Sequence, residues 1–207
     1  MITNSDSIDL DKADQIASFI VADILNIARR LTGKRAIQVN LGYSKFGNLA
    51  VHLLIKRGSP PMSSPGWERQ NFENRGFSID ANTYIPKNGE AGIDLQITIN
   101  PLSESGSLSE LEHFLLDTVR HEIEHIQTAD RGNPALRKAH QSSYKYFLLN
   151  DEIPAAVAGL KLLAKKRGTD LETEIVTYLK PFINSGFMSE PEAARVKSAW
   201  LNHAATD

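Results

Sequence analysis

The sequence predicts an α+β domain, and three observations carry that prediction. An amphipathic helical pattern opens the chain, alternating strand-like segments fill its middle, and everything beyond about residue 108 has helical periodicity. The expected architecture is an N-terminal helix and a small twisted sheet, mostly antiparallel or mixed, followed by a motif-bearing helix and a helical C-terminal half. At 207 residues this is most economically a single domain, with a helix-plus-sheet part over 1–106 and a helical part over 107–207.

Each element has its own signal. Over residues 11–32, Ile16, Phe19, Ile20, Ile24, Ile27 and Leu31 recur at helical spacing, and Gly33 supplies a stop. Segments 35–42 and 48–56 read as strands joined across the glycines of GYSKFGN. The stretch RGSPPMSSPGWERQNFENRG, with three prolines and three glycines, breaks all periodicity and is expected to be a surface loop. A third strand follows near 76–81. In IDLQITIN (93–100), Ile93, Leu95, Ile97 and Ile99 alternate with polar residues, the pattern of a half-buried strand. Ser107 with Glu110, or Ser109 with Glu112, offers a capping box for a helix over about 108–130. Further helices are expected at 134–149, 152–167, 170–184 and 190–204. Their starts are marked by Asn133-Pro134 and by Ser189 with Glu192, and their stops by Gly132, Gly168 and Gly186.

Composition narrows the function classes. The hydrophobic fraction of 41% and charged fraction of 23% suit a chain able to bury a core. A net charge of −2 gives no electrostatic case for nucleic acid or an anionic membrane as partner. With no cysteine, thiolate sites and disulfides are excluded, so any metal must be held by histidine and carboxylate. The N-terminus lacks the basic and apolar regions of a signal peptide, and no apolar run approaches the roughly 20 residues needed to span a bilayer. The expected location is cytoplasmic.

Residues 120–128, RHEIEHIQT, carry the chemistry. Histidines at i and i+4 share a helix face, so His121 and His125 can both reach one ion at about 2.0–2.1 Å. A glutamate following the first histidine can take a proton from water activated by that ion. Two glutamates compete for that role, and the helix's apolar stripe separates them. Leu108, Leu111, Leu115, Val119 and Ile126 lie within roughly 80° of arc, and Glu122 falls inside it. Glu124 falls opposite with His113, Asp117, Arg120 and Gln127, a face expected to be solvated. An ionised carboxylate in an apolar stripe is costly unless paired or near a metal, which singles out Glu122 as the catalytic candidate.

HEIEH on a helix preceded by an alternating strand resembles the zincin metallopeptidases. The resemblance spans about residues 90–165 and implies one zinc ion per chain and a peptide substrate. It also implies that strand 93–100 is a sheet edge, with Asp94 to Asn100 offering backbone groups to an extended chain. Thr128 and Arg131 stand where the metzincin branch would have glycine and a further histidine or aspartate, so that branch is disfavoured. The gluzincin branch takes a glutamate from a later helix, and NDEIPAAVAGLKLLAKK supplies Glu152, with Asp151 and His140 as alternatives. Ala155, Ala156 and Gly159 on the Glu152 side would let the two helices come close, and Pro154 fits a first helical turn. The thermolysin-like aspartate four residues after that glutamate is replaced by Ala156, so a carboxylate orienting a histidine must come from elsewhere. Tyr144, Tyr146, His140 and Tyr178 are the candidates for stabilising an oxyanion.

Three functions compete. The leading one is a zinc metallopeptidase, with zinc on His121, His125 and Glu152 and with Glu122 as general base. The second is a structural or interaction protein, such as an assembly component, that keeps fold and metal with little turnover and has a regulatory or assembly protein as partner. The third is a hydrolase of non-peptide amides or esters, which has no need of a pairable strand edge.

Overall fold

Leu10–Arg29 forms the first helix, α1. It belongs to a computed structural model that describes residues 10–30, 35–43, 49–59, 72–73, 75–84, 91–100, 108–128, 139–140 and 142–206. Ala13, Ile16, Ala17, Ile20, Val21, Ile24, Leu25 and Ala28 are buried, a stripe repeating at i, i+3, i+4 and i+7. Phe19, expected on that stripe, lies off it and is 56% exposed, its ring edge-on to Tyr43. Leu31 and Gly33 fall outside the described residues, as does most of the Pro-rich stretch.

Four strands follow: β1 (Ala36–Tyr43), β2 (Leu49–Arg57), β3 (Phe77–Tyr84) and β4 (Gly92–Ile99). They form one mixed sheet in the order β1-β2-β4-β3. β1 runs antiparallel to β2, β2 parallel to β4, and β4 antiparallel to β3. Leu49, Val51, Leu53 and Ile55 of β2, with Ile93, Leu95 and Ile97 of β4, point to the helices, as the alternation requires.

The topology corrects one expectation. Strand 93–100 is not a sheet edge, because β4 is paired on both sides. Alternation tells which face of a strand is buried but not which strands flank it. Here β3 folds back onto the far side of β4 and becomes the edge itself.

Helix α2 (Leu108–Gln127) crosses the inner face of the sheet beside α1. Its buried Leu111, Leu115, Leu116, Val119 and Ile123 share one core with α1 and the strands. The helical part expected from residue 107 therefore has its first helix in the sheet's core. Ser109 lies inside this helix rather than at its cap, and Ser107 falls outside the described residues.

Beyond α2 come a 3₁₀ turn (Tyr144–Leu148) and helices α3 (Glu152–Arg167), α4 (Leu171–Asn184) and α5 (Glu190–Ala204). The helix expected over 134–149 is not continuous, since Ser143 has extended backbone (φ −142°, ψ 158°) and only a 3₁₀ turn follows it. Its remaining residues up to 138, with Gly132 and Asn133, lie outside the described set. The last three helices match their sequence signals closely. Gly168 (φ 68°) and Gly186 (φ 71°) take the left-handed conformation that ends a helix. Glu192 accepts the Ser189 backbone N–H at 2.8 Å, as a capping box requires. These elements share a second core around the fully buried Trp200, whose Nε1 donates to the Phe147 carbonyl at 2.9 Å.

Candidate metal centre

The site forms where α2 and α3 touch. Gly159 permits the contact, since a Cβ there would collide with the Asp117 carboxylate and lie 2.6 Å from the Asp117 carbonyl oxygen. Ala155 and Ala156, both buried, keep the rest of that face small. Seven residues back along α3, Glu152 begins the helix, 2% exposed and aimed at α2.

His121, His125 and Glu152 converge. The two histidine Nε2 atoms lie 3.1 Å apart, Glu152 Oε2 is 3.4 Å from His121 Nε2, and Glu152 Oε1 is 3.7 Å from His125 Nε2. These lengths bear on what the cluster could hold. A direct charge-assisted N–H···O bond is about 2.7–2.9 Å long. Ligands placed tetrahedrally around one ion at about 2.0–2.1 Å are separated by roughly 3.3–3.4 Å. The observed spacings match donors arranged around a common centre, and the three residues could hold a metal ion together. Two imidazole nitrogens and a carboxylate, with no sulfur, form a donor set that suits zinc in a site with one open position. Asp151 is buried beside Glu152 but does not belong to the cluster, nor does His140.

The electrostatics favour a cation here. Burial works against a charged His121, yet the adjacent Glu152 carboxylate, with Glu122 and Asp117, outweighs it and holds the imidazole pKa above its usual value. That environment suits a divalent ion in place of the proton. Glu152→Ala is expected to weaken metal binding by at least about a hundredfold, because two histidines remain where three ligands are needed. Elemental analysis after dialysis measures this, and undiminished metal would remove Glu152 from the site.

Glu122 sits as its place in the apolar stripe demands, only 8% exposed and turned towards the sheet. Its Oε2 accepts a hydrogen bond from Thr83 Oγ1 at 2.6 Å. Thr83 belongs to edge strand β3, so the carboxylate is oriented from the sheet and the histidines from the helix. Nothing in the sequence pattern points to Thr83.

The opposite face of α2 departs from the sequence expectation. Asp117 and Arg120 are 8% and 3% exposed, so that face is not solvated. Arg120 Nε donates to Asp14 of α1 at 3.1 Å and its Nη1 to Glu124 at 2.8 Å. His113 lies against Arg167, which donates to its Nδ1 at 3.3 Å. Leu108, expected in the core, is 44% exposed at the helix start. The reason is two-sided packing: the sheet and α1 cover one side of α2, and α3 covers the other.

Asp117 has the strongest consequence. Burial raises its carboxyl pKa from 3.8 to about 6, against the pull of His121. A carboxyl raised on folding keeps its proton in the native state while the unfolded chain loses it, so stability falls as pH rises from about 4 to about 6. In metal-free protein, Asp117→Asn should gain on the wild type by up to about 3 kcal/mol across that window. Urea titrations at pH 4 and pH 7 measure it, and a constant difference between the two proteins would refute it.

Of the four oxyanion candidates, Tyr178 of α4 is the one whose ionisation the Asp117 and Glu152 carboxylates influence. Burial, with the Asp117 and Glu152 carboxylates, pushes its phenol pKa up, so it stays a neutral O–H donor. Tyr144, Tyr146 and Tyr178 all pack on the second core. No family model, curated protein or solved structure matches the chain.

Proposed function

We propose that this protein is a zinc-dependent metallopeptidase of the zincin type, with His121, His125 and Glu152 as ligands and Glu122 as general base. One observation carries the reading: three metal-ligating side chains converge beside a buried carboxylate that is held by a strand edge. When bound, zinc supplies Lewis acidity that lowers the pKa of water to about 7 and polarises a carbonyl.

The chain's own residues do the rest. Thr83 occupies Glu122 Oε2 and leaves Oε1 to accept a proton from water. As the water oxygen bonds to the carbonyl carbon, Glu122 holds that proton and then delivers it to the amide nitrogen as the C–N bond breaks. The neutral Tyr178 hydroxyl is the donor for the carbonyl oxygen as it gains charge.

A peptide substrate is favoured by β3. Asn100 N donates to Gly76 O at 2.8 Å, which makes Gly76 and Asn100 a hydrogen-bonded pair. By alternation, Ser78, Asp80, Asn82 and Tyr84 bond to β4, while Phe77, Ile79, Ala81 and Thr83 turn their backbone N–H and C=O to the outer side. A chain added there as a fifth strand would pass beside Glu122. A small-molecule hydrolase would have no use for such an edge. Among the described residues no helix is long and apolar enough to cross a membrane.

The test uses purified protein stripped of metal and then reloaded with one equivalent of zinc, incubated with a diverse peptide pool. Cleavage that disappears with the metal and returns with it is the expected result. A reloaded protein that captures a partner stoichiometrically but cuts nothing would replace this reading with the assembly role.

A further inference from the structure

A cleft of about 480 Å³ runs between the start of β3 and helices α2, α3 and α4, where the two cores face each other. Asp117, one helical turn before His121 on α2, and Tyr178 of α4 both line it. Its wall is strongly aromatic, with Phe72, Phe77, Phe114 and Phe182 lining it. Phe77 and Phe114 meet edge to face at 5.7 Å. Arg75, two residues before β3, lines it beside them, with its guanidinium carbon 4.0 Å above the centre of the Phe114 ring.

Six charged side chains line the cleft, Arg75, Arg167 and Lys180 against Glu110, Asp117 and Glu174, and they are not all directly paired. Glu174 is bound by Arg167 at 2.9 Å and by Thr169 at 2.6 Å, which neutralises that pair within the protein. Arg75 is different. Burial pushes its pKa down despite the nearby Glu110, and no carboxylate of the described residues lies within ion-pair distance of it. Lys180 adds a second positive charge at the exposed rim. A half-desolvated guanidinium on an aromatic face presents a planar fork of N–H donors that matches a carboxylate.

We propose that the part of the cleft around Arg75 and Phe114 is a substrate subsite for a carboxylate carried beside a bulky apolar side chain, with Arg75 gripping the carboxylate and the phenylalanines receiving the side chain. The proposal rests on the peptidase reading for the course of the chain. In a peptide paired along β3, Phe77 lies six residues from Thr83, roughly 20 Å at the rise of a strand. The subsite therefore chooses which chain is cut without touching the bond that breaks. The carboxylate can belong to an acidic side chain or to the peptide's own C-terminus, and both offer Arg75 the same two oxygens.

The experiment measures fluorescence anisotropy of labelled decapeptides with zinc-loaded Glu122→Gln protein, which binds without cutting. One arm scans Phe-Glu against Phe-Gln along the peptide, and the other compares free-acid with amidated C-termini. The expected result is about tenfold tighter binding of the charged member in one arm. That arm identifies the source of the carboxylate. The preference should vanish when Arg75→Gln is added and survive in part with Arg75→Lys, which keeps the charge but loses the fork. Equal affinity for charged and neutral peptides, a preference that outlives Arg75→Gln, or no binding by any peptide would overturn the proposal. If the preference holds while wild-type protein leaves the same peptides intact, the peptidase reading fails and the subsite stands. Cleavage without charge preference leaves the peptidase reading in place and removes the subsite.

Discussion

Replacing Glu122 by glutamine is expected to abolish peptide hydrolysis while one metal ion per chain is retained. The substitution is close to isosteric, so the 8%-exposed side chain still fills its place in the apolar stripe of α2. The amide oxygen can still accept the Thr83 hydroxyl, which holds Glu122 at 2.6 Å in the native protein. What the amide lacks is any capacity to take a proton from water. Removal of a positioned general base costs roughly 10²–10⁴ in rate, and that loss falls on kcat with KM little changed, because ground-state binding is untouched. The proposed ligands His121, His125 and Glu152 converge independently of this residue, so zinc content should remain at wild-type level. Elemental analysis and turnover on one sample make the comparison. Loss of zinc with turnover intact would reverse the roles assigned to Glu122 and its neighbours.

The parts of this site visible in the sequence are those set by local geometry. Four residues separate His121 from His125, and a helix of that period puts both rings on one side whatever surrounds it. Glu122 is separable from Glu124 because the apolar stripe of α2 is read from the same helix. Glu152 is legible for a different reason: the resemblance to gluzincins implies a glutamate from a later helix, and Ala155, Ala156 and Gly159 on its side support a close helix contact. The same small residues imply a second consequence that the pattern of α2 alone conceals. A helix pressed that tightly against α2 must bury whatever lies opposite, which is why Asp117 is covered rather than solvated. Thr83 and Arg75 have no local signal, and Tyr178 has none that sets it apart from the other tyrosines. Each reaches the site or cleft through a sheet register or a tertiary contact. The edge strand differs from expectation for a related reason. Alternation in 93–100 fixes a face, whereas pairing order depends on how β3 returns to the sheet.

Gly159→Ala is expected to lower both stability and metal affinity, although alanine is the better helix former. In an open helix the substitution would gain about 1 kcal/mol. Here the added methyl lies 2.6 Å from a backbone carbonyl oxygen of α2 and against the Asp117 carboxylate, where α2 is already backed by the sheet core. A flexible side chain could yield, but a carbonyl locked in a buried helix moves only with the helix. Overpacking of this kind costs about 1–3 kcal/mol, so the net effect is destabilising. The displacement also travels along α3. Seven residues separate Gly159 from Glu152, roughly 10 Å along a rigid helix, so pushing α3 outward draws the carboxylate away from the two histidines. Ligand distances tolerate only about 0.2 Å, and a shift of a few tenths is enough to weaken binding about tenfold or more. Thermal melts of metal-free protein and zinc competition titrations separate the two effects. A higher melting temperature with unchanged zinc affinity would show that the Gly159 contact does not set the position of Glu152. A fall in both would place the constraint in the spacing of the two helices, with the third ligand held by a residue that has no side chain at all.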